Sequence, residues 1–150
     1  MRVFISQPMR GLTIEQIQER RDQICEMLVE VFNRDIEFID SINKDEELQK
    51  KGSIAMLGHS VSLMADADLV VVDDVEYGYT GVHIESEVAR NYNIPTIGMY
   101  DLIYMYAGVK GMRDEEFRKF DNKMKNHYRH DSVICSELQS ADDYATVGDI

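Results

Sequence analysis

This chain is short of positive charge relative to negative. Lys and Arg together number 16 against 28 Asp and Glu, a formal net charge of -12. Phosphate polymers and anionic membranes demand basic surfaces, so the balance argues against a nucleic-acid or membrane partner. A small anion is not excluded, because one Arg and a few backbone N–H groups can hold it. No apolar stretch reaches the 18 residues that a membrane span needs. The first residues do not make a signal peptide, since Arg10 and Gly11 cut the apolar run short. Cysteine is scarce as well: Cys25 and Cys135 lie far apart and form no motif. Without a disulfide framework, a cytoplasmic, reducing setting is the expectation, with Cys25 a small buried hydrophobe on a helix. The chain also lacks a Walker or dinucleotide glycine pattern, internal repeats, and His or Cys at metal-ligand spacing. No metal and no organic cofactor is expected.

What is present is one domain's worth of chain, 150 residues, 44% of them hydrophobic. Leu69-Val70-Val71-Val72 reads as a buried strand and stops at Asp73 and Asp74. A Gly- and Tyr-containing loop follows, and a helix opens at Gly81 with Glu85 in its first turns. Arg2 to Ser6 is a first strand, and Ser6 to Gly11 a turn in which Gly11 permits an unusual φ. Thr13 and Gln16 fit a capping box. Ile14, Ile17, Ile24, Leu28 and Val31 then keep helical spacing to about Phe32. Ile36 to Ile39 alternates as a second strand, and residues 43–52 form a surface loop or loose helix. Ser53 is a plausible N-cap for a helix carrying Ile54, Leu57, Val61 and Met64. Pro95 to Met99 makes a fourth strand. The order β-α-β-α-β-α-β is that of an α/β fold with a parallel sheet. Residues 1–99 form its core and 100–150 a C-terminal extension. In it, Tyr100 to Tyr106 is strand or helix, Asp114 to Tyr128 a helix, Ser132 to Cys135 a fifth strand, and the last dozen residues a tail.

In such a sheet, ligands bind outside the carboxyl ends of the strands, so Asp73, Asp74 and Glu85 surround the expected crevice. Glu85 and Glu87 cannot both face it from one helix; Glu85 lies one turn from both Gly81 and Ala89, and Glu87 falls to solvent. A carboxylate so placed can attack an anomeric carbon, or simply favour a helix start. Ser6, Gln7, Met9, Arg10 and Gly11 supply a hydroxyl, a guanidinium and turn N–H groups, either an anion cradle or a solvated strand-to-helix turn. Asp73 or Asp74 either orients a sugar hydroxyl or is a solvated strand-end carboxylate. His127 and His130 suit the end of a basic helix better than a metal.

Three stretches together resemble the nucleoside 2-deoxyribosyltransferase superfamily: Val3 to Gly11, Ala67 to Val72, and Gly81-x-x-x-Glu85-x-x-x-Ala89. The likeness spans roughly residues 2–99 and is nearest the small bacterial and phage members and the branch that hydrolyses nucleoside 5'-monophosphates. It implies a flavodoxin-like doubly wound sheet, strand order 2-1-3-4-5, in a homo-oligomer whose neighbouring subunit often completes the pocket. It also implies that Glu85 attacks C1' and expels the base, passing the sugar to water or to another base. The loop Ser6 to Gly11 would line the nucleotide site, with Ser6 and Arg10 toward phosphate, and Asp73 or Asp74 would assist the sugar or base. Two positions depart from the family pattern. Phe4 stands where a tyrosine commonly orients the nucleophile, and Tyr79 stands where an Asp or Ser commonly precedes Gly81. Tyr77 or Tyr79 is the available replacement hydroxyl. The departures keep open a module that binds a nucleotide or signalling nucleotide without turnover. A second enzyme alternative is cleavage of NAD or ADP-ribose-type ligands.

Overall fold

A computed structural model describes residues 1–75 and 79–128. The elements run β1 (Arg2–Ser6), α1 (Ile14–Phe32), β2 (Glu37–Phe38), α2 (Glu46–Lys50), α3 (Ser53–Leu63), β3 (Leu69–Val72), α4 (Thr80–Asn91), β4 (Thr96–Gly98), α5 (Met99–Lys110) and α6 (Asp114–Lys125). The four strands form an all-parallel sheet in the order β2-β1-β3-β4. The expected fifth strand at 132–135, the tail, and the loop residues Glu76 and Tyr77 lie outside the described residues.

Strand alternation divides the core in two. Val3 and Ile5 of β1, with Leu69 and Val71 of β3, pack against Ile24, Met27 and Leu28 of α1, Leu102, Ile103 and Tyr106 of α5, and Met124 of α6. Phe4, Val70 and Val72 face the other way, onto Tyr79, Val82 and Ala89 beside Met64 and Ile39. Val3 pairs with Leu69 and Ser6 with Val72, so β1 and β3 end level with each other. The next residues, Gln7 and Asp73, open at the carboxyl edge of the sheet. Chain connections leave β1 and β3 in opposite directions across the sheet, and this is where a crevice forms in doubly wound folds.

Local chemistry explains most boundaries and several differences from expectation. Thr13 and Gln16 close a reciprocal capping box at the start of α1, and Asn33 ends that helix in the left-handed region at φ 49°. Residues 43–52 settle into α2 because the Asp45 side chain accepts from Glu47 N–H. Ser53 is not a cap: Gly52 takes that place at φ 92° and Ser53 is the first helical residue. Ile54 is 77% exposed, so the buried side of α3 is narrower than its apolar spacing suggests. The helix expected at Gly81 begins one residue earlier, at Thr80. Met99, expected at the end of β4, instead starts α5, which resolves Tyr100 to Tyr106 as helix. Cys25 is half-buried rather than buried.

Candidate functional site

Glu85 sits on the second turn of α4, with Gly81 and Ala89 one turn away on either side, all three buried. Gly81 and Ala89 lack bulk, which lets α4 lie close to the sheet. Glu85 is thereby driven in among apolar side chains and is only 2% exposed. Ser6, the last residue of β1 and on the α4 side of the sheet, donates its hydroxyl to Glu85 Oε2 at 2.5 Å. Glu85 Oε1 is buried with no hydrogen-bond partner. Burial raises the Glu85 carboxyl to a pKa of about 7, opposed by the Ser6 hydrogen bond and the positive charge of Arg21. At neutral pH both protonation states are populated.

Two arginines hold the surroundings in place. On α1 the buried series Ile17, Arg20, Arg21, Ile24, Met27, Leu28 puts both guanidinium groups on the inward face, pointing to the carboxyl ends of the strands. Arg21 donates through Nε to Gln7 Oε1 at 2.8 Å and through Nη2 to Ser41 Oγ at 2.7 Å, and pairs with Asp40 at 3.5 Å. Burial lowers the Arg21 pKa, countered by Asp40 and Glu85. Arg20 grips Asp73 with two parallel bonds, Nε to Oδ2 at 2.8 Å and Nη2 to Oδ1 at 3.1 Å, both side chains fully buried. Tyr128, just beyond α6, donates to the same Oδ2 at 2.5 Å. Its hydroxyl is pushed well above the usual range, first by burial and then by the Asp73 charge.

The structure therefore gives the candidate residues different tasks. Ser6 and Glu85 are in direct contact. The Gln7 amide is committed at both ends, accepting from Arg21 and donating to Ile17 O at 3.3 Å. Both oxygens of Asp73 are held by Arg20 and Tyr128, while its N–H donates to Ser6 O at 2.8 Å. Asp74, exposed, accepts from Met99 N–H at 3.3 Å, and partial burial raises its pKa. Met9 and Arg10 lie half-buried in the turn after β1, which Gly11 closes at φ 74°. Tyr79 caps α4 and is packed in the same apolar cluster as Phe4. Glu87, on the side away from the sheet, pairs with Arg90.

Beside Ser41 is a cavity of about 150 Å³ lined by Met9, Ile17, Ser41, Ile42, Asn43, Met56 and Ser60. Protein-family models, curated proteins and solved structures were all compared with the chain. None matches it. Among the described residues, no group of three or more His, Cys, Asp or Glu is placed to hold a metal ion. No helix among them is long and apolar enough to cross a membrane.

Sequence reasoning passed over Arg20, Arg21, Ser41, Asn43 and Ser60. The arginines did carry a signal. They stand three and four residues after Ile17 and just before Ile24, on the face an amphipathic helix buries. A charged side chain in that register needs a buried partner. Ser41 and Asn43 lie in irregular chain, where periodicity carries no information.

Proposed function

We propose that this protein cleaves or transfers the N-glycosidic bond of a nucleoside or nucleoside 5'-monophosphate, with Glu85 as the nucleophile at C1'. The observation that carries the proposal is the state of Glu85: buried at the carboxyl edge of the sheet, one oxygen held by Ser6 and the other without a partner. A buried carboxylate is costly to leave half-satisfied, and a substrate carbon developing positive charge would compensate it. Ser6 fixes the rotation of the carboxylate, and Arg21 favours its ionised form. Attack by Oε1 on C1' forms the glycosyl-enzyme while the bonding pair leaves with the base, and water or a second base then releases the sugar.

The bond class is supported by what accompanies Glu85. Enzymes that split sugar–oxygen bonds generally set two carboxyl groups across the bond. Among the described residues, no second carboxyl group bonds to Glu85: Ser6 does, and Arg21 is the charge that acts on it. A nucleobase spreads the departing electron pair over its ring and leaves with less proton assistance than an alkoxide. The likeness of Val3 to Gly11 and of the Gly81, Glu85, Ala89 spacing to nucleoside 2-deoxyribosyltransferases supports the same chemistry. With it come a flavodoxin-like fold having a further strand beyond the four described, and a homo-oligomer. Hydrolysis of a monophosphate is favoured over base exchange by Arg10, half-buried in the turn ahead of α1.

The alternative, binding without turnover, is supported by Phe4, which is buried and carries no hydroxyl toward the carboxylate. Chromatography of reaction mixtures containing nucleosides, deoxynucleoside 5'-monophosphates or NAD separates the two. Free base favours the enzyme. An intact ligand that raises the melting temperature favours the binding module.

A further inference from the structure

Among the described residues, α3 is the one helix without a charged side chain: Ser53–Leu63 holds no Asp, Glu, Lys or Arg, in a chain that is 29% charged. A helix so evenly apolar is normally buried. Here Ser60 is its only buried residue. Ile54, Leu57 and Val61 belong to neither core cluster; Ile54 is 77% exposed and the other two are half-buried. Gly58 stands in mid-helix, exposed, and a Cβ there would meet nothing within 4 Å. Glycine inside a helix costs stability, and among the described residues no contact requires it. Ile54, Leu57, Gly58 and Val61 keep the spacing of helical neighbours, so they form one stripe along α3. A second helix can lie close along that stripe, because Gly58 holds no bulk to keep it away.

We infer that α3 is the contact surface between two copies of this chain, paired antiparallel about a two-fold axis near Gly58. Charge selects the partner. A two-fold contact sets a patch against its own copy, and on a chain of net charge -12 a typical patch would set acid against acid. α3 brings no charge of its own. Its ends carry opposite signs: Lys50 and Lys51 stand just before it and Asp66 just after, all three exposed. Lys50 pairs with Glu47 and Asp66 with Arg2 only at the surface, where a partner's charge can join them. Antiparallel helices bring the lysine end of each copy to the Asp66 end of the other, whereas parallel ones set like against like. The inference rests on the proposed homo-oligomer and gives it a surface. It also bears on the site, since α3 packs against α4, which carries Glu85, and supplies Met56 and Ser60 to the 150 Å³ cavity.

The test is the mass of the full chain in solution, by light scattering after size exclusion, at concentrations from about 1 to 100 µM. Wild type should run at twice the chain mass or a multiple of it. Ile54→Lys puts a like charge into both sides of the contact and should weaken association at least about tenfold. Because Ile54 is so exposed, the circular dichroism of that variant should match wild type. Gly58→Leu, a second variant, favours the helix but thickens the contact, so association should weaken while helix content holds. Lys51→Glu should weaken it too, and adding Asp66→Lys should restore it, because the two ends then exchange signs. Tyr104→Lys, on the exposed apolar side of α5, should leave the mass unchanged. A monomer at every concentration overturns the inference. So does an assembly that survives Ile54→Lys and Gly58→Leu, one that Tyr104→Lys dissolves, or a charge-exchanged variant that stays apart. Base release assayed on the same samples keeps the two readings separate: a monomeric wild type that releases base overturns the α3 contact and leaves the Glu85 chemistry standing.

Discussion

The Glu85 carboxyl decides what the site can do, and its environment makes a signed statement about pH. Its pKa is about 7 in the folded protein, against 4.5 for an ordinary glutamate. Between those values the folded state holds a proton that the unfolded state has lost. Stability therefore falls as pH rises from about 4.5 to 7 and levels off above, a loss of about 3 kcal/mol. Glu85→Gln removes the titration, so it should raise the melting temperature at pH 8 and leave it nearly unchanged at pH 4. Thermal scans at the two values check this; equal effects at both would show that Glu85 is not buried as described. Under the proposed mechanism activity has the opposite slope, because attack needs the ionised form: kcat/KM should rise with pH through about 7. Ser6→Ala removes a bond that lowers the Glu85 pKa, so the rising limb should move to higher pH. A profile that stays in place would mean that the Ser6 bond does not tune the carboxylate.

Among the elements, the contact most exposed to disruption is the one joining α1, the end of β3 and the turn after α6. Arg20, Asp73 and Tyr128 meet there in a fully buried cluster. Removing one partner of such a pair leaves a buried charge uncompensated, so Asp73→Ala should destabilise by about 3–5 kcal/mol. Tyr128→Phe should cost about 1–3 kcal/mol, since Arg20 still holds the carboxylate. Urea unfolding of both variants measures the difference, and equal small effects would contradict the buried pairing. The same elements mark what the sequence makes legible. The β3 run, the Thr13–Gln16 box and the Ile17-Ile24-Leu28 spacing each express a local rule that the fold obeys. The α/β class and parallel order follow from them; the direct bond from Ser6 to Glu85 does not, since in the sequence Ser6 reads as part of an anion cradle. The roles of Asp73 and Gln7 were not legible. Both sit where a crevice was expected, and partners distant in sequence, Arg20, Arg21 and Tyr128, take up their polar atoms. Pairing across 53 or 55 residues leaves no local pattern to read.

At the scale of the molecule, 28 acidic residues against 16 basic ones oppose compaction. Added salt screens that repulsion, with a Debye length near ~10 Å at 0.1 M. The melting temperature at pH 8 should rise by about a few degrees between low salt and 0.5 M sodium chloride; a fall would mean that the surface ion pairs outweigh the repulsion. Against that acidic background the local positive charge of Arg21 acts on Glu85. The most direct test is release of free base from a panel of deoxynucleosides and deoxynucleoside 5'-monophosphates, with Glu85→Gln alongside wild type and both shown to be folded. The account predicts base from wild type and a loss of at least about a thousandfold in the variant, the scale expected when a nucleophile is removed. Base release that survives in Glu85→Gln would contradict it, because a carboxamide cannot form the glycosyl-enzyme.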